Sequence, residues 1–191
     1  MVDRVFQAFL EREQAAGLAL AEASDILSLA PIGASPANRY LAEFRCTGLI
    51  HEGGEIRTCD RFVVGFAFPE DYCRRPDAGA LVHLLAPQNV WHPNVRFPVI
   101  CPGMMPAGTG LVDLIFQCYE ILTYGEMGLK DPLNEAACRW ARRNMDRFPL
   151  DRRPLKRRTK TAEQHDYERG LSQSAWHADS EGKPQPTEDQ R

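Results

Sequence analysis

Cys101 is the residue of this chain whose surroundings best fit covalent chemistry. It lies in the stretch VWHPNVRFPVICPG, residues 90–103, and prolines and glycines continue from Pro102 to Gly110. Such a segment does not readily join a helix or a β ladder and tends to lie at the surface. A partly exposed thiol on a rigid loop is suited to nucleophilic attack. From these residues alone, Cys101 could also be a core residue or a metal ligand.

The other five cysteines help to separate these three roles. Cys46, Cys118 and Cys138 fall on or beside apolar faces of predicted strands and helices, so we predict that they are small core residues. Cys59 and Cys73 lie at loop edges, and their neighbours in the sequence favour no particular role. No two cysteines form a CxxC pair, and zinc usually takes its ligands in close local pairs, so we expect no metal site.

The composition excludes several classes of function. A formal net charge of −3 over 191 residues is too close to neutral to favour a nucleic-acid partner. No stretch approaches the roughly 18 apolar residues of a membrane span. Charged residues at 11–13 interrupt the first apolar run, which argues against a signal peptide. We therefore expect a soluble, cytoplasmic protein that has no membrane partner and no disulfides.

The elements before Cys101 are predicted from the period of the apolar residues. Asp3 can cap a helix that runs to about Ala21, in which Glu13 is expected to face water. Residues 31–36 contain prolines and a glycine and are predicted to form a loop. Alternating or continuous apolar character predicts strands over residues 40–50, 61–68 and 80–85, joined by short turns as in an antiparallel meander.

After Cys101 the apolar period becomes helical. One predicted helix carries Leu111, Leu114, Ile115, Cys118 and Leu122 on its inner face, and a second helix follows an Asn134 cap. The predicted fold is therefore α+β within residues 1–150. It has an N-terminal helix, a four-stranded antiparallel meander, an irregular active-site loop and two C-terminal helices.

The composition changes after residue 150. Residues 151–191 are mostly polar and are predicted to form a largely disordered tail. Six basic residues lie between Arg152 and Lys160. This run is predicted to be a solvated helix end, with a docking site for an acidic partner as the alternative.

Five short motifs make residues 50–148 resemble the core of the ubiquitin-conjugating enzymes. They occur in the order in which that family has them: HEGGE at 51–55, FPEDY at 68–72, WHPN at 91–94, VIC at 99–101 and KDPLNEAA at 130–137. The resemblance is strongest to divergent bacterial members of the family. Those are encoded beside a ubiquitin-like modifier, an activating enzyme and a metalloprotease, and they act in defence against phage.

The resemblance implies a function for Cys101 as the acceptor of a ubiquitin-like modifier. The modifier would be held as a thioester, received from an activating enzyme, and then transferred to an amine of a protein target, most simply a lysine. No cofactor or metal is implied, since the activating enzyme spends the ATP.

The resemblance also implies roles for the residues around Cys101. Asn94 would donate a hydrogen bond to the oxyanion, with loop stabilisation as its other role. Asp131 would position the incoming lysine, unless it only caps the loop before Pro132. Residues of the WHPN turn would order the active site without taking part in the chemistry; they are Trp91, His92 and Pro93.

Two other functions stay open at this point. A Cys–His hydrolase would use His92 as its base, nine residues before Cys101. A non-catalytic relative would bind a ubiquitin-like protein or complete a complex. The second alternative is favoured by Pro102 and Gly103, which stand where the family has Leu-Asp, and by MMPAGTG at 104–110, which replaces the family's Trp-Ser-Pro; the presence of Cys101 argues against it. The Asn94–Cys101 spacing of seven residues, where the family usually has eight, is a further departure from the family pattern.

Overall fold

The computed structural model of the chain describes residues 3–74 and 81–156. Its helices are α1 (Arg4–Glu22), α2 (Leu111–Leu122) and α3 (Glu135–Arg142), followed by a 3₁₀ turn at Met145–Arg147. Its strands are β1 (Leu27–Ile32), β2 (Arg39–Phe44), β3 (Gly48–Glu52), β4 (Glu55–Cys59), β5 (Phe62–Ala67), β6 (Val82–Ala86), β7 (Val95–Arg96) and β8 (Val99–Ile100). Most of the predicted tail, residues 157–191, lies outside the described residues.

The predicted α+β class is confirmed. Strands pair antiparallel in the order β1-β2-β5-β6-β8-β7, while β3 and β4 form a separate hairpin. Of the four longer strands of the large sheet, β2, β5 and β6 correspond to predicted strands, whereas β1 was not predicted. The N-terminal helix and the two helices after Cys101 occur where the periodicity placed them. None of the described helices has the length and apolar character that crossing a bilayer requires.

Two strand predictions differ from the structure. β1 begins at Leu27 and includes Pro31, whereas the sequence predicted a loop from that proline onward. Proline is tolerated there because β1 is an edge strand and pairs only with β2. The strand predicted over 40–50 is divided into β2 and β3.

Long-range contacts cause the division between β2 and β3. The N–H of Thr47 donates to the Asp151 carboxylate at 2.9 Å, so the chain turns away from β2. At Gly48, a Cβ would lie 2.6 Å from both the Leu122 carbonyl and the Phe62 ring, so β3 can begin only with glycine. Leu155 is 2 % exposed in the main core, so the packed residues continue past 150.

α1 and α2 pack with the large sheet and build the main core, whereas Ala141 of α3 belongs to a second, smaller cluster with Leu49 and Tyr124. The inner face predicted for α2 is confirmed, since its five predicted residues are at most 1 % exposed. Cys46, Cys118 and Cys138 are buried as predicted. Three of the six thiols are therefore buried, and those of Cys59, Cys73 and Cys101 are half-buried.

Glu13 was expected to face water, but it is 5 % exposed and links α1 to α2. Its Oε2 accepts the N–H of Leu111 at 2.7 Å, and its Oε1 accepts Nε of Arg12 at 2.9 Å. A Cβ at Gly110 would lie 2.6 Å from the same Oε2. Glu13 thus satisfies an otherwise unpaired N–H at the start of α2 and fixes the end of the loop that begins at Cys101.

We predict that Glu13→Ala destabilises the fold by about 1–3 kcal/mol, because it leaves the buried N–H of Leu111 without an acceptor. Glu13→Gln keeps a carbonyl oxygen at this position and should lose clearly less. Urea unfolding of the two variants beside wild type measures both changes in free energy. An alanine variant as stable as wild type would show that Glu13 does not hold α2.

Candidate active site

A short hairpin places Asn94 opposite Cys101. β7 and β8 pair Val95 with Ile100 and Arg96 with Val99, so Asn94 and Cys101 form the next pair outward. The N–H of Cys101 donates to the carbonyl of Asn94 at 2.9 Å. The seven-residue spacing of the two residues follows from this register, because both are equally far from the turn at Phe97 and Pro98.

The large sheet holds this hairpin in place. Val99 of β8 pairs with His83 of β6, and the N–H of Leu84 donates to the Pro98 carbonyl at 2.7 Å. Cys101 therefore follows directly from a strand of the sheet. After it the chain becomes irregular, with Gly103 at a φ of 89° that other residues rarely adopt.

The Asn94 side chain joins the cysteine loop to the segment after α2. Its Nδ2 donates to the carbonyl of Cys101 at 3.0 Å, and its Oδ1 accepts the N–H of Gly128 at 2.7 Å. A Cβ at Gly128 would lie 2.9 Å from Nδ2, so the close approach depends on glycine. The amide is thereby fixed from both sides.

His92 is buried beneath the turn and held in one tautomer. Its Nδ1 accepts the N–H of Asn94 at 3.0 Å and must therefore be unprotonated. Burial lowers the pKa of His92 to about 3, and the backbone carbonyl of Glu126 offsets this only in part. That carbonyl is a weak partner, because Nε2 makes no hydrogen bond of good geometry among the described residues. A buried, neutral imidazole in this position is poorly suited to act as a base for Cys101.

An aromatic cluster supports the turn from the other side. Tyr124 donates its hydroxyl to the carbonyl of Trp91, and its ring meets that of His92 edge-on at 4.4 Å. The Tyr124 ring also stacks on Phe148, with centroids 4.4 Å apart. Trp91 in turn stacks on His51 of the β3–β4 hairpin at 4.8 Å. Tyr124 has a φ of 63°, an uncommon value for a residue other than glycine, so the packing must hold it there.

Asp131 lies on a segment that is tied to the turn at both ends. Gly128 binds the Asn94 side chain, and the N–H of Asn134 donates to the Pro93 carbonyl at 3.0 Å. Asp131 is three residues from each of these anchors, so its Cα lies within about 11 Å of either one. Its side chain is exposed. These contacts bring the Trp91–Asn94 turn, Cys101 and the segment that carries Asp131 together.

Among the six cysteines, three are poorly placed for surface chemistry. Burial raises the pKa of Cys46 to about 12, and it also raises the pKa of Cys118. Cys138 is buried and directs its thiol at the Leu129 carbonyl, 3.7 Å away. Cys59 is half-buried, but its thiol faces the Arg61 carbonyl at 3.3 Å. Within the described residues, no group of three or more His, Cys, Asp or Glu is arranged to hold a metal.

Two residues of this site, Tyr124 and Gly128, were not predicted from the sequence. Tyr124 follows an apolar helix, and nothing in the sequence distinguishes it from an ordinary core residue. In the sequence, Gly128 has the features of an ordinary loop glycine. Only the structure shows that Asn94 occupies the space that a side chain at this position would need. A signal did exist for the Asn94–Cys101 pair, because both flank a central Phe-Pro turn symmetrically.

The likeness of this chain to known proteins is structural and distant. No protein-family description and no curated protein matches the chain. Among solved structures, the chain is similar to the E2 domain of a ubiquitin conjugating enzyme from Toxoplasma gondii. The two are 19 % identical, the alignment covers 75 % of this chain and 91 % of that one, and the TM-score is 0.48.

We predict that His92 makes the fold sensitive to acid. Its pKa is about 3 in the folded chain, against about 6.5 in an unfolded one. As the pH falls, His92 therefore takes up a proton in the unfolded chain well before it does so in the folded one. The free energy of unfolding decreases as the pH falls below 6.5, by up to about 1.4 kcal/mol per pH unit. His92→Gln cannot titrate, so its free energy of unfolding should fall less steeply between pH 6.5 and 4.5 in chemical denaturation. Parallel curves for the two proteins would contradict the prediction.

Proposed function

We propose that this chain is an enzyme of the ubiquitin-conjugating type. It carries a ubiquitin-like modifier as a thioester on Cys101, received from an activating enzyme, and transfers it to an amine of a target protein. The observation that supports this most is the Asn94–Cys101 pair, in which one immobilised amide touches the backbone of the cysteine. That pair lies within the motifs that resemble this family.

The first step is an exchange of thioesters. The Cys101 thiolate attacks the carbonyl carbon that links the modifier to the activating enzyme. A bond to Sγ of Cys101 forms, and the activating enzyme leaves as its own thiolate. The thiol must be accessible, and Cys101 is half-buried on a loop whose two ends are fixed by Asn94 and Glu13.

The second step is attack by a lysine of the target. The neutral amine adds to the thioester carbonyl, negative charge develops on its oxygen, and the Cys101 thiolate leaves. Asn94 serves this step with its Nδ2, which carries two N–H groups. One is directed at the Cys101 carbonyl, and the other is the donor we assign to the oxyanion. A fixed donor of this kind contributes roughly 3 kcal/mol in acyl transfer.

Asp131 receives the lysine in this mechanism. Its exposed carboxylate can hold the ammonium near the thioester and favour loss of the proton. His92 takes no part in this proton transfer, because its Nδ1 is occupied and its ring is 1 % exposed. The same two facts disfavour a Cys–His hydrolase.

The non-catalytic alternative is disfavoured by the half-buried state of Cys101. Nothing in a purely binding role requires a thiol at the end of a fixed hairpin. Pro102 is buried and Gly103 is in the left-handed region, so the residues that replace Leu-Asp alter the loop after the cysteine and leave the pair itself in register.

The cellular setting of the proposal rests on the resemblance alone. We place the chain in the cytoplasm, in a bacterial conjugation system that acts against phage. Neighbouring genes for a ubiquitin-like modifier, an activating enzyme and a metalloprotease would support that setting. An isolated gene would remove it without affecting the chemistry assigned to Cys101.

Cys101→Ala should abolish the adduct that forms with activating enzyme, modifier and ATP. Cys59→Ala is the matched control, because it removes another half-buried thiol from the same protein and should keep the adduct. Intact mass measured with and without reductant detects the thioester. A reductant-sensitive adduct on the Cys101→Ala protein would exclude Cys101 as the acceptor.

Asp131→Asn should charge normally and discharge slowly to free lysine near neutral pH. The unperturbed lysine pKa is about 10.4, so a carboxylate that helps remove the proton matters most when the amine is protonated. The deficit should therefore shrink as the pH rises. Asp146→Asn removes another exposed carboxylate and should discharge like wild type. Equal neutral-pH rates for wild type and Asp131→Asn would leave Asp131 with loop capping only.

A further inference from the structure

Four exposed basic side chains border the segment that carries Asp131. They are Lys130, Arg139, Arg142 and Arg143, and we call them the basic rim. The first lies beside Asp131, and the others lie on or immediately after α3. The mechanism proposed above uses none of them.

Arg142 connects the rim to the reacting cysteine through a short chain of contacts. Its Nη2 donates to the carbonyl of Leu129 at 2.6 Å. The neighbouring Gly128 donates to Asn94, and Asn94 donates to the Cys101 carbonyl. Arg142 is thereby held against the loop that carries Asp131. Only one of its five N–H donors is used in that contact, so the guanidinium can still bind an anion.

The orientation of α3 keeps the rim exposed. The helix is capped by Asn134, whose side chain accepts the N–H of Ala137. Its buried residues are Ala137, Cys138 and Ala141. With 3.6 residues per turn, these fall on one face, and the arginines at 139, 142 and 143 fall on the other sides. The rim is therefore exposed beside the segment that carries Asp131, the residue proposed above to receive the lysine.

Few acidic groups neutralise the rim. Arg139 pairs with Glu135 at 3.4 Å, but both side chains are more than 60 % exposed, so this pair is weak. In the part of the chain that the structure describes, Lys130, Arg142 and Arg143 form no ion pair. Residues 130–143 contain four basic and two acidic side chains, although the whole chain has a net charge of −3.

We infer that the basic rim selects the acceptor: it binds carboxylates that flank the target lysine. The inference rests on the function proposed for Cys101. A cationic lysine segment approaching this rim is repelled, and nearby Asp or Glu residues reverse the sign of that interaction. An acidic residue two or three positions from the lysine lies within about 10 Å of it. The contacts from Cys101 through Asn94 and Gly128 to Arg142 keep the rim near the thioester. A carboxylate that extends this far from the lysine can therefore approach the rim to within about 10 Å, the Debye length at 0.1 M salt.

The test compares two peptides of equal length, each with a single lysine. One has Asp and Glu around the lysine, and the other has Asn and Gln at the same positions. Wild-type protein charged on Cys101 should discharge to the acidic peptide roughly three- to tenfold faster at about 0.05 M salt. The preference should approach one at about 0.5 M salt. Free lysine gives the reference rate for each variant.

Variants of the rim locate the effect. Arg142→Gln combined with Arg143→Gln should remove most of the preference when each peptide rate is divided by that variant's own discharge rate to free lysine. Arg143→Glu alone should reduce it further or reverse it. The Arg143 side chain makes no hydrogen bond or ion pair within the described residues, and its backbone N–H, which donates to the Trp140 carbonyl, is kept in the variant. The matched control is Arg39→Gln, an exposed charge on β2, three strand spacings or about 14 Å from β8. It should keep the full preference.

The outcomes separate the two proposals. Equal rates for the two peptides, or a preference that survives the Arg142, Arg143 and Arg143→Glu changes, overturn the inference and leave the proposed function intact. Failure of wild type to form any thioester overturns the proposed function, and the inference with it. A salt-sensitive preference that only the rim variants lose supports the inference.

Discussion

The geometry of the site depends on the hydrogen bonds of the Asn94 side-chain amide. Its nitrogen holds the carbonyl of Cys101, and its oxygen holds the N–H of Gly128. Its backbone is engaged as well, with the N–H on His92 and the carbonyl on the N–H of Cys101. One residue therefore sets the position of the cysteine relative to the segment that carries Asp131. A change at Asn94 would therefore affect both the cysteine loop and the segment that carries Asp131.

Much of the surrounding structure keeps that amide in place. The large sheet supports the β7–β8 hairpin through β6, and the Tyr124 cluster supports the WHPN turn. Glu13 fixes the far end of the cysteine loop at the start of α2. Two of these supports are energetically unusual, since Tyr124 has a positive φ and Glu13 is a buried carboxylate. Ring packing and the hydroxyl bond to the Trp91 carbonyl hold Tyr124, and two hydrogen bonds satisfy the Glu13 carboxylate, so both residues depend on the tertiary structure around them.

Local patterns predicted the α+β class, the three helices and the core face of α2, because period and capping are properties of neighbouring residues. They could not predict contacts between residues far apart in the chain. Glu13 caps a helix that begins at Leu111, and Asp151 ends the pairing of a strand near Thr47. Neither carboxylate has a local signature, so one looked solvated and the other looked like part of a tail. The Cys101 and Asn94 hypotheses came from motif order, and their pairing in one hairpin gives them a physical basis.

The most direct test of the account is to identify the thiol that carries the modifier. Protein that carries the modifier as a thioester would be denatured, and its free thiols would be blocked with iodoacetamide. Hydroxylamine would then cleave the thioester, and the released thiol would be labelled with N-ethylmaleimide. The tryptic peptide 97–130 contains both Cys101 and Cys118, and its fragment ions distinguish them. The account predicts a hydroxylamine-dependent label on Cys101 alone. A label on Cys118, Cys59 or Cys73, or no such label at all, would contradict it.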